Sequence, residues 1–201
     1  VRVRPLLVLL HDAAYAKMCG MEYDPHSFSM QDLLRHVTNQ EFQKTGGQVY
    51  EEWEVLPTIS LGECDERLPR FGDPPQPWSA YWWPKVRRVC AEVVRCVRDQ
   101  VCAAGRPGMF EVLGLDFVCT SDGEAVFIEA NRDPSWVVDN PAKKQIIPSL
   151  ISEMLEVVLR AHSADAAARH APLEGIAVTG GQHFRVLVDE AADALAGAAR
   201  E

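Results

Sequence analysis

Long apolar runs, paired cysteines and basic tracts are all missing from this chain, and each absence narrows what it does. No stretch approaches 18 apolar residues and no secretory signal is visible, so a soluble protein without a membrane-spanning helix is expected. The six cysteines stand at 19, 64, 90, 96, 102 and 119, with no Cys-x-x-Cys pair and none near a histidine at zinc spacing. Reduced, partly buried thiols are the expectation, as in a cytosolic protein. Cys90, Cys96 and Cys102 recur every six residues on one expected helix, so they rotate around it rather than share a face. With a net charge of −9 and no basic run, the chain is a poor match for nucleic acid, whose binding rests on displaced counterions. Any anionic partner must instead meet a local basic patch. No Ser-His-Asp or Cys-His arrangement points to an acyl-enzyme. An opening methionine is lacking too: the chain starts on Val1-Arg-Val-Arg-Pro-Leu-Leu-Val-Leu-Leu10, which reads as a strand beginning mid-fold and suggests a piece of a longer protein.

What is present centres on residues 110–148. Phe110-Glu-Val-Leu-Gly-Leu-Asp116-Phe-Val and Val126-Phe-Ile-Glu129-Ala-Asn131-Arg-Asp-Pro134-Ser flank a Ser121-Asp-Gly turn, a strong hairpin signal. Residues 129 and 131 share a strand face, and antiparallel pairing can bring Asp116 beside them. A carboxylate within Val-Leu-Gly-Leu-Asp-Phe-Val calls for a partner. Three hard oxygen donors on one surface suit Mg²⁺, which takes a few such ligands and leaves its other positions to water and phosphate. The alternative is an ordinary hairpin with one polar face.

Elsewhere, residues 3–10 read as a buried strand and 14–23 as a second one. Ser29 can cap a short helix through Arg35, with Asp32 in place of the usual Glu. Residues 49–83 are poorly periodic, and Pro74 to Pro84 reads as an irregular loop pinned to the body by its tryptophans. Apolar positions 86, 89, 90, 93, 97 and 101 predict a helix from Val86 to Ala103, ended by Gly105-Arg-Pro-Gly108. Asp139 or Asn140 can cap a further helix to about residue 161, with Pro141 in its first turn and a kink or restart at Pro148. Beyond it, 162–172 reads as a linker, Gly175–Thr179 as a strand, and 187–200 as a weak Ala-rich helix. No chemistry is expected of this tail.

These motifs together resemble the tubulin–tyrosine ligase-like family. His36-Val-Thr38-Asn39 followed by Gln43-Lys44 is similar to its His-Leu-Thr-Asn stretch and downstream Gln-Lys. Phe110-Glu-Val-Leu-Gly-Leu-Asp116-Phe resembles its Phe-Glu-Leu-Phe-Gly-x-Asp-Phe strand. Glu129-Ala-Asn131-Arg-Asp-Pro134-Ser resembles its Glu-Val-Asn-x-x-Pro-Ser, at the same thirteen-residue spacing from Asp116. Val1-Arg-Val-Arg4 is similar to its Lys-x-Asp-x-Arg strand. The likeness covers roughly residues 1–160.

The resemblance implies an α+β fold, the C-terminal part of an ATP-grasp catalytic domain with mostly antiparallel sheet and flanking helices. Residues 1–161 would be that partial domain, lacking its N-terminal half, and 162–201 a linker and extension. The implied activity is ATP- and Mg²⁺-dependent addition of an amino acid to a protein carboxylate through an acyl phosphate. Asp116, Glu129 and Asn131 would hold Mg²⁺, Arg4 would contact phosphate or the acyl phosphate, and His36, Thr38 and Asn39 would line the nucleotide site. Partners would be tubulin or another acidic protein tail and a free amino acid, with no nucleic acid or membrane. The implied location is the cytoplasm, cytoskeleton or cilium. The chain departs from the family at Arg2, where the pattern has Asp, and it has no clear match to the arginine preceding His-x-Thr-Asn. Those departures favour a second reading, a ligase-like domain that has lost catalysis and serves as a tubulin-binding or scaffold module.

Overall fold

The computed structural model describes residues 6–30, 32–46, 58–101, 110–161 and 183–190. Arg4, the linker 162–172, the strand 175–179 and residues 191–200 of the weak helix lie outside these. Among the described residues, strands β1 (Leu7–His11), β2 (Tyr15–Lys17), β3 (Thr58–Ser60), β4 (Gly114–Cys119), β5 (Ala125–Asn131) and β6 (Phe184–Asp189) are interspersed with four α-helices. These are α1 (Gln40–Gln43), α2 (Leu61–Arg67), α3 (Trp78–Val101) and α4 (Pro141–Ala161). Every described ladder is antiparallel, and they pair as β1–β6, β2–β3 and β4–β5. The mixture of helix and antiparallel strand agrees with the α+β expectation.

The core forms around α3. Trp78, Trp82, Val86 and Cys90, each four residues apart, are buried with Ile59 and Cys64, the stripe a helix presents to one side. Leu115, Phe117, Cys119 and Ala125 of the hairpin pack onto this cluster. The helix therefore starts eight residues before the expected Val86, and Trp78–Pro84 is helical rather than an irregular loop. The tryptophans do pin the segment, but from within a helix. Pro84 forgoes one backbone bond inside it, a cost of about 3 kcal/mol. Burying two stacked indoles, with ring centroids 4.6 Å apart, outweighs that, since losing one buried tryptophan costs about 3–5 kcal/mol. Asp65 also fastens the first turn, accepting from the Ser79 backbone N–H and hydroxyl at 2.6 Å each.

Other boundaries shift for similar reasons. The second strand shrinks to Tyr15–Lys17, and its partner β3 falls in the stretch expected to be irregular. A capping box starts α2: the Glu63 N–H donates to the Ser60 hydroxyl at 3.3 Å, and the Ser60 N–H to Glu63 Oε2 at 2.7 Å. Ser29 and Asp32 make the expected reciprocal pair, but it opens a single 3-10 turn, Asp32–Arg35, not an α-helix. Those bonds, led by the Ser29 hydroxyl, hold the Asp32 carboxyl at about 2. Asn140 is the residue that caps α4, accepting from the Lys143 N–H at 3.0 Å, and α4 continues past Pro148 without a restart. Residues 184–189 form a strand in place of the start of a helix, because β1 offers them an edge. Cys90 is buried and Cys96 exposed, so these two do not share a face; Cys102 lies outside the described residues.

Candidate functional site

Register decides what the hairpin can do. Phe117 lies opposite Phe127 and Val118 opposite Val126, but Asp116 lies opposite Glu129 and Gly114 opposite Asn131. Ile128 is thus an extra residue, a β-bulge next to Asp116. Strict alternation would set Glu129 on the face of Phe127, against the core. The bulge turns Glu129 and Asn131 over to the face of Asp116, away from α3. Exposure follows this: it alternates through residues 125–128 and then breaks, with Ile128 and Glu129 both exposed.

The three side chains meet. Asn131 Nδ2 donates to Glu129 Oε1 at 3.2 Å and approaches Asp116 Oδ2 at 3.4 Å. Neither carboxylate forms an ion pair among the described residues, and the nearby Arg132 is turned to Glu111 at 3.9 Å. Two unneutralised carboxylates beside an amide, Glu129 exposed and Asp116 and Asn131 half-buried, are a donor set that fits a hard divalent cation. Turning the Asn131 amide over would bring its oxygen to the same centre. Among the described residues no group of three or more His, Cys, Asp or Glu side chains is placed to hold a metal. Val118, Val126 and Ile128 are exposed on the same face.

The hairpin is held in place from both ends. At the turn, Gly123 adopts φ +77° and a Cβ there would come within 2.8 Å of the Tyr81 ring. Lys85 lies 4.0 Å from that ring's centre, donates to the Gly123 carbonyl at 3.1 Å and pairs with Glu124 at 2.5 Å. At the exit, Pro134 closes over Gly114 so tightly that a Cβ would meet its side chain at 3.0 Å.

The remaining expected site residues stand apart from this face. His36 Nε2 lies 2.8 Å from the Ser27 carbonyl, and its ring packs between Phe28, stacked at 5.3 Å, and Tyr23, edge-on at 5.3 Å. Thr38 is exposed. Asn39 caps α1, its Oδ1 accepting from the N–H groups of Glu41 at 2.9 Å and Phe42 at 3.2 Å. Buried Gln43 ties the loop together, accepting from the Gly20 N–H at 2.9 Å and donating to the Leu34 and Val37 carbonyls. No hydrogen bond or ion pair joins His36, Thr38 or Asn39 to the hairpin trio among the described residues. Arg4 lies outside them, two residues before Leu6.

One cluster went unforeseen, because His11-Asp12 reads in sequence only as the end of an apolar run. Asp12 accepts from His183 Nδ1 at 3.0 Å and Arg185 Nε at 3.2 Å, and buried Glu153 accepts from the backbone N–H groups of His183 at 2.9 Å and Phe184 at 3.2 Å. Among the described residues, His11 Nε2 and Glu153 Oε1 are buried without a hydrogen-bond partner. Burial holds His11 below its ordinary value, partly offset by the Ala13 carbonyl and Glu153.

Comparison with known proteins agrees with the motifs. The profile of the Tubulin-tyrosine ligase family matches residues 1–166. Protein polyglycylase TTLL10 of Macaca fascicularis is 26% identical over 155 residues, 72% of this chain and 23% of that protein. The rat TTLL10 polyglycylase is 23% identical over 149 residues, 72% of this chain and 21% of that protein. Tubulin polyglutamylase TTLL5 of Mus musculus is 23% identical over 161 residues, 77% of this chain and 12% of that protein. The chain thus spans less than a quarter of the length of these relatives. No solved structure matches it.

Proposed function

The chain belongs to the tubulin-tyrosine ligase family, and on that footing we propose that it is part of an ATP- and Mg²⁺-dependent ligase of the ATP-grasp type. The reaction joins an amino acid to a protein carboxylate, in tubulin or a similarly acidic tail, within the cytoplasm or cytoskeleton. The observation that carries this reading is the bulged hairpin, which collects Asp116, Glu129 and Asn131 on one outward face. Bound there, Mg²⁺ and ATP would supply an activated phosphoryl group for the acceptor carboxylate. The protein's own task is positioning and charge balance. Asp116 and Glu129 provide negative oxygens for the cation, Asn131 spaces them and gives a neutral donor, and the Gly114–Pro134 contact fixes the strand exit from which Asn131 projects. Arg4, leading into β1, would balance phosphate charge. His36, Thr38 and Asn39 would border the nucleotide, with Asn39 acting through the helix it caps.

Arg2, standing where the family pattern has Asp, favours the second reading of a non-catalytic tubulin-binding module. One experiment separates the two. In the full-length protein, ATP-dependent incorporation of labelled glycine, glutamate or tyrosine into tubulin is measured beside Glu129→Gln, with Mn²⁺ binding followed by electron paramagnetic resonance. The ligase reading expects incorporation, and a loss of at least about a hundredfold with weaker Mn²⁺ binding in the variant. Incorporation unchanged by Glu129→Gln overturns the metal assignment. Absence of incorporation and of Mn²⁺-nucleotide binding leaves the scaffold reading.

A further inference from the structure

The loop leading to His36 uses its polar groups on itself and leaves its apolar ones in water. Asp24 Oδ1 accepts from the His26 N–H at 2.9 Å, the Arg35 guanidinium donates to the Glu22 carbonyl at 2.7 Å, and Ser29 and Asp32 bond reciprocally. Against this, Tyr23 is 68% exposed, Phe28 75% and Met30 79%. Phe28 and Met30 are the two most exposed large apolar side chains among the described residues. Single apolar residues on a surface are ordinary, but these rings are gathered. Tyr23 and Phe28 each lie 5.3 Å from the His36 ring they share, so the three make one continuous aromatic patch, the kind of surface that marks an interaction site. No fold-stabilising contact accounts for leaving Phe28 so open.

The charge around the patch selects its occupant. Glu22 is exposed and Asp24 half-buried, and neither forms an ion pair among the described residues. Arg35, the cation bonded into the loop, is taken by Asp32 at 3.5 Å. The rim therefore carries two uncompensated carboxylates. A glutamate-rich tail, an anionic lipid surface and a second copy of a chain at −9 would each meet repulsion there, whereas a cation is drawn in. Arginine suits both halves of the surface. Its planar guanidinium stacks on aromatic rings, its stem covers apolar area, and its fork takes a carboxylate. The internal bonds of the loop hold it in shape beforehand, which lowers the ordering cost of binding.

We propose that this loop is a docking surface for an arginine-bearing segment of a protein partner. The guanidinium lies over the Phe28 and Tyr23 rings and against Glu22 and Asp24, and apolar neighbours in the segment cover Met30. His36 backs both rings from within. No hydrogen bond or ion pair among the described residues links the patch to the Asp116–Glu129–Asn131 face, and its occupancy does not depend on the ligase reading.

The test is fluorescence anisotropy of a dye-labelled amphipathic peptide of arginine and leucine, titrated with the 201-residue chain, beside the same peptide with glutamate in place of arginine. Saturable binding of the arginine peptide is expected, weakening as salt rises. Phe28→Ala should weaken it about tenfold. Glu22→Gln with Asp24→Asn should weaken it roughly three- to tenfold and flatten the salt dependence; Asp24→Asn keeps a side-chain oxygen for the His26 N–H. Circular dichroism confirms that each variant is folded. No saturable binding of the arginine peptide, or undiminished binding by folded Phe28→Ala, overturns the proposal. So does binding of the glutamate peptide as tightly as the arginine one. Phe28-dependent binding to phosphatidylcholine–phosphatidylserine vesicles, or Phe28-dependent self-association in sedimentation equilibrium, would also overturn it, by giving the patch to a lipid surface or to a second copy. With no nucleotide or tubulin present, failure here does not bear on the ligase reading, nor failure of incorporation on this one.

Discussion

At Gly123 two demands meet in one residue: a backbone with φ +77°, and a gap of only 2.8 Å to the Tyr81 ring for any added Cβ. That ring cannot swing aside cheaply, being stacked on Phe71 at 5.4 Å and covered by Lys85. Gly123→Ala is therefore expected to cost roughly 1–3 kcal/mol from left-handed strain and the lost ring contact, read as a lower denaturation midpoint. Asn131 and Glu129 were legible as neighbours because residues two apart share a strand face. Asn39 and Gln43 show the other side of motif reading. Their places in a His-x-Thr-Asn…Gln-Lys pattern are accounted for by backbone bonds, one as a cap and one as a buried tie, before any ligand is considered.

At the scale of elements, the bulge governs the site. In sequence, Val126-Phe-Ile-Glu129 is an apolar run closed by a carboxylate, and nothing in it announces that Ile128 is unpaired. The trio could be named from residue types, whereas its shared face depends on a register that only pairing reveals. Deleting Ile128 is expected to close the bulge and leave Glu129 directly after Phe127, still opposite Asp116 and on the same face as it. Mn²⁺ binding should then survive the deletion to within about tenfold, in contrast to Glu129→Gln; a loss as large as that of Glu129→Gln would show that the bulged backbone itself is needed. Pro84 misled in the same way. Proline and three nearby tryptophans read as a loop because local propensity is visible in a sequence and the burial that overrides it is not.

For the whole molecule, three carboxylates fasten the last described segment to the rest: Asp12 and Glu153 at its start, and Glu190, which accepts from the Leu6 N–H at 2.8 Å and pairs with Arg98, at its end. The buried imidazole beneath it makes stability depend on pH. The charged groups facing His11 are Glu153 on α4, His183 at the start of β6 and its neighbour Asp12. Since burial lowers its folded pKa, the folded chain binds fewer protons than the unfolded one. Its contribution is complete above the ordinary histidine value of about 6.5 and is lost as pH falls through the lower folded value. Urea midpoints should accordingly drop between pH 7.5 and pH 5, and His11→Gln should flatten that drop. An equal slope in the variant would assign the effect to other groups.

The pairing of Leu7 with Asp189 sets an order of events as well as a contact. At roughly 5–20 residues per second of synthesis, β1 leaves the ribosome about 10–40 s before its partner strand exists. Closing so long a loop is entropically costly, and until it closes β1 presents an unpaired edge on which another chain could assemble. Among the described strands, the first to be made is the last to be covered.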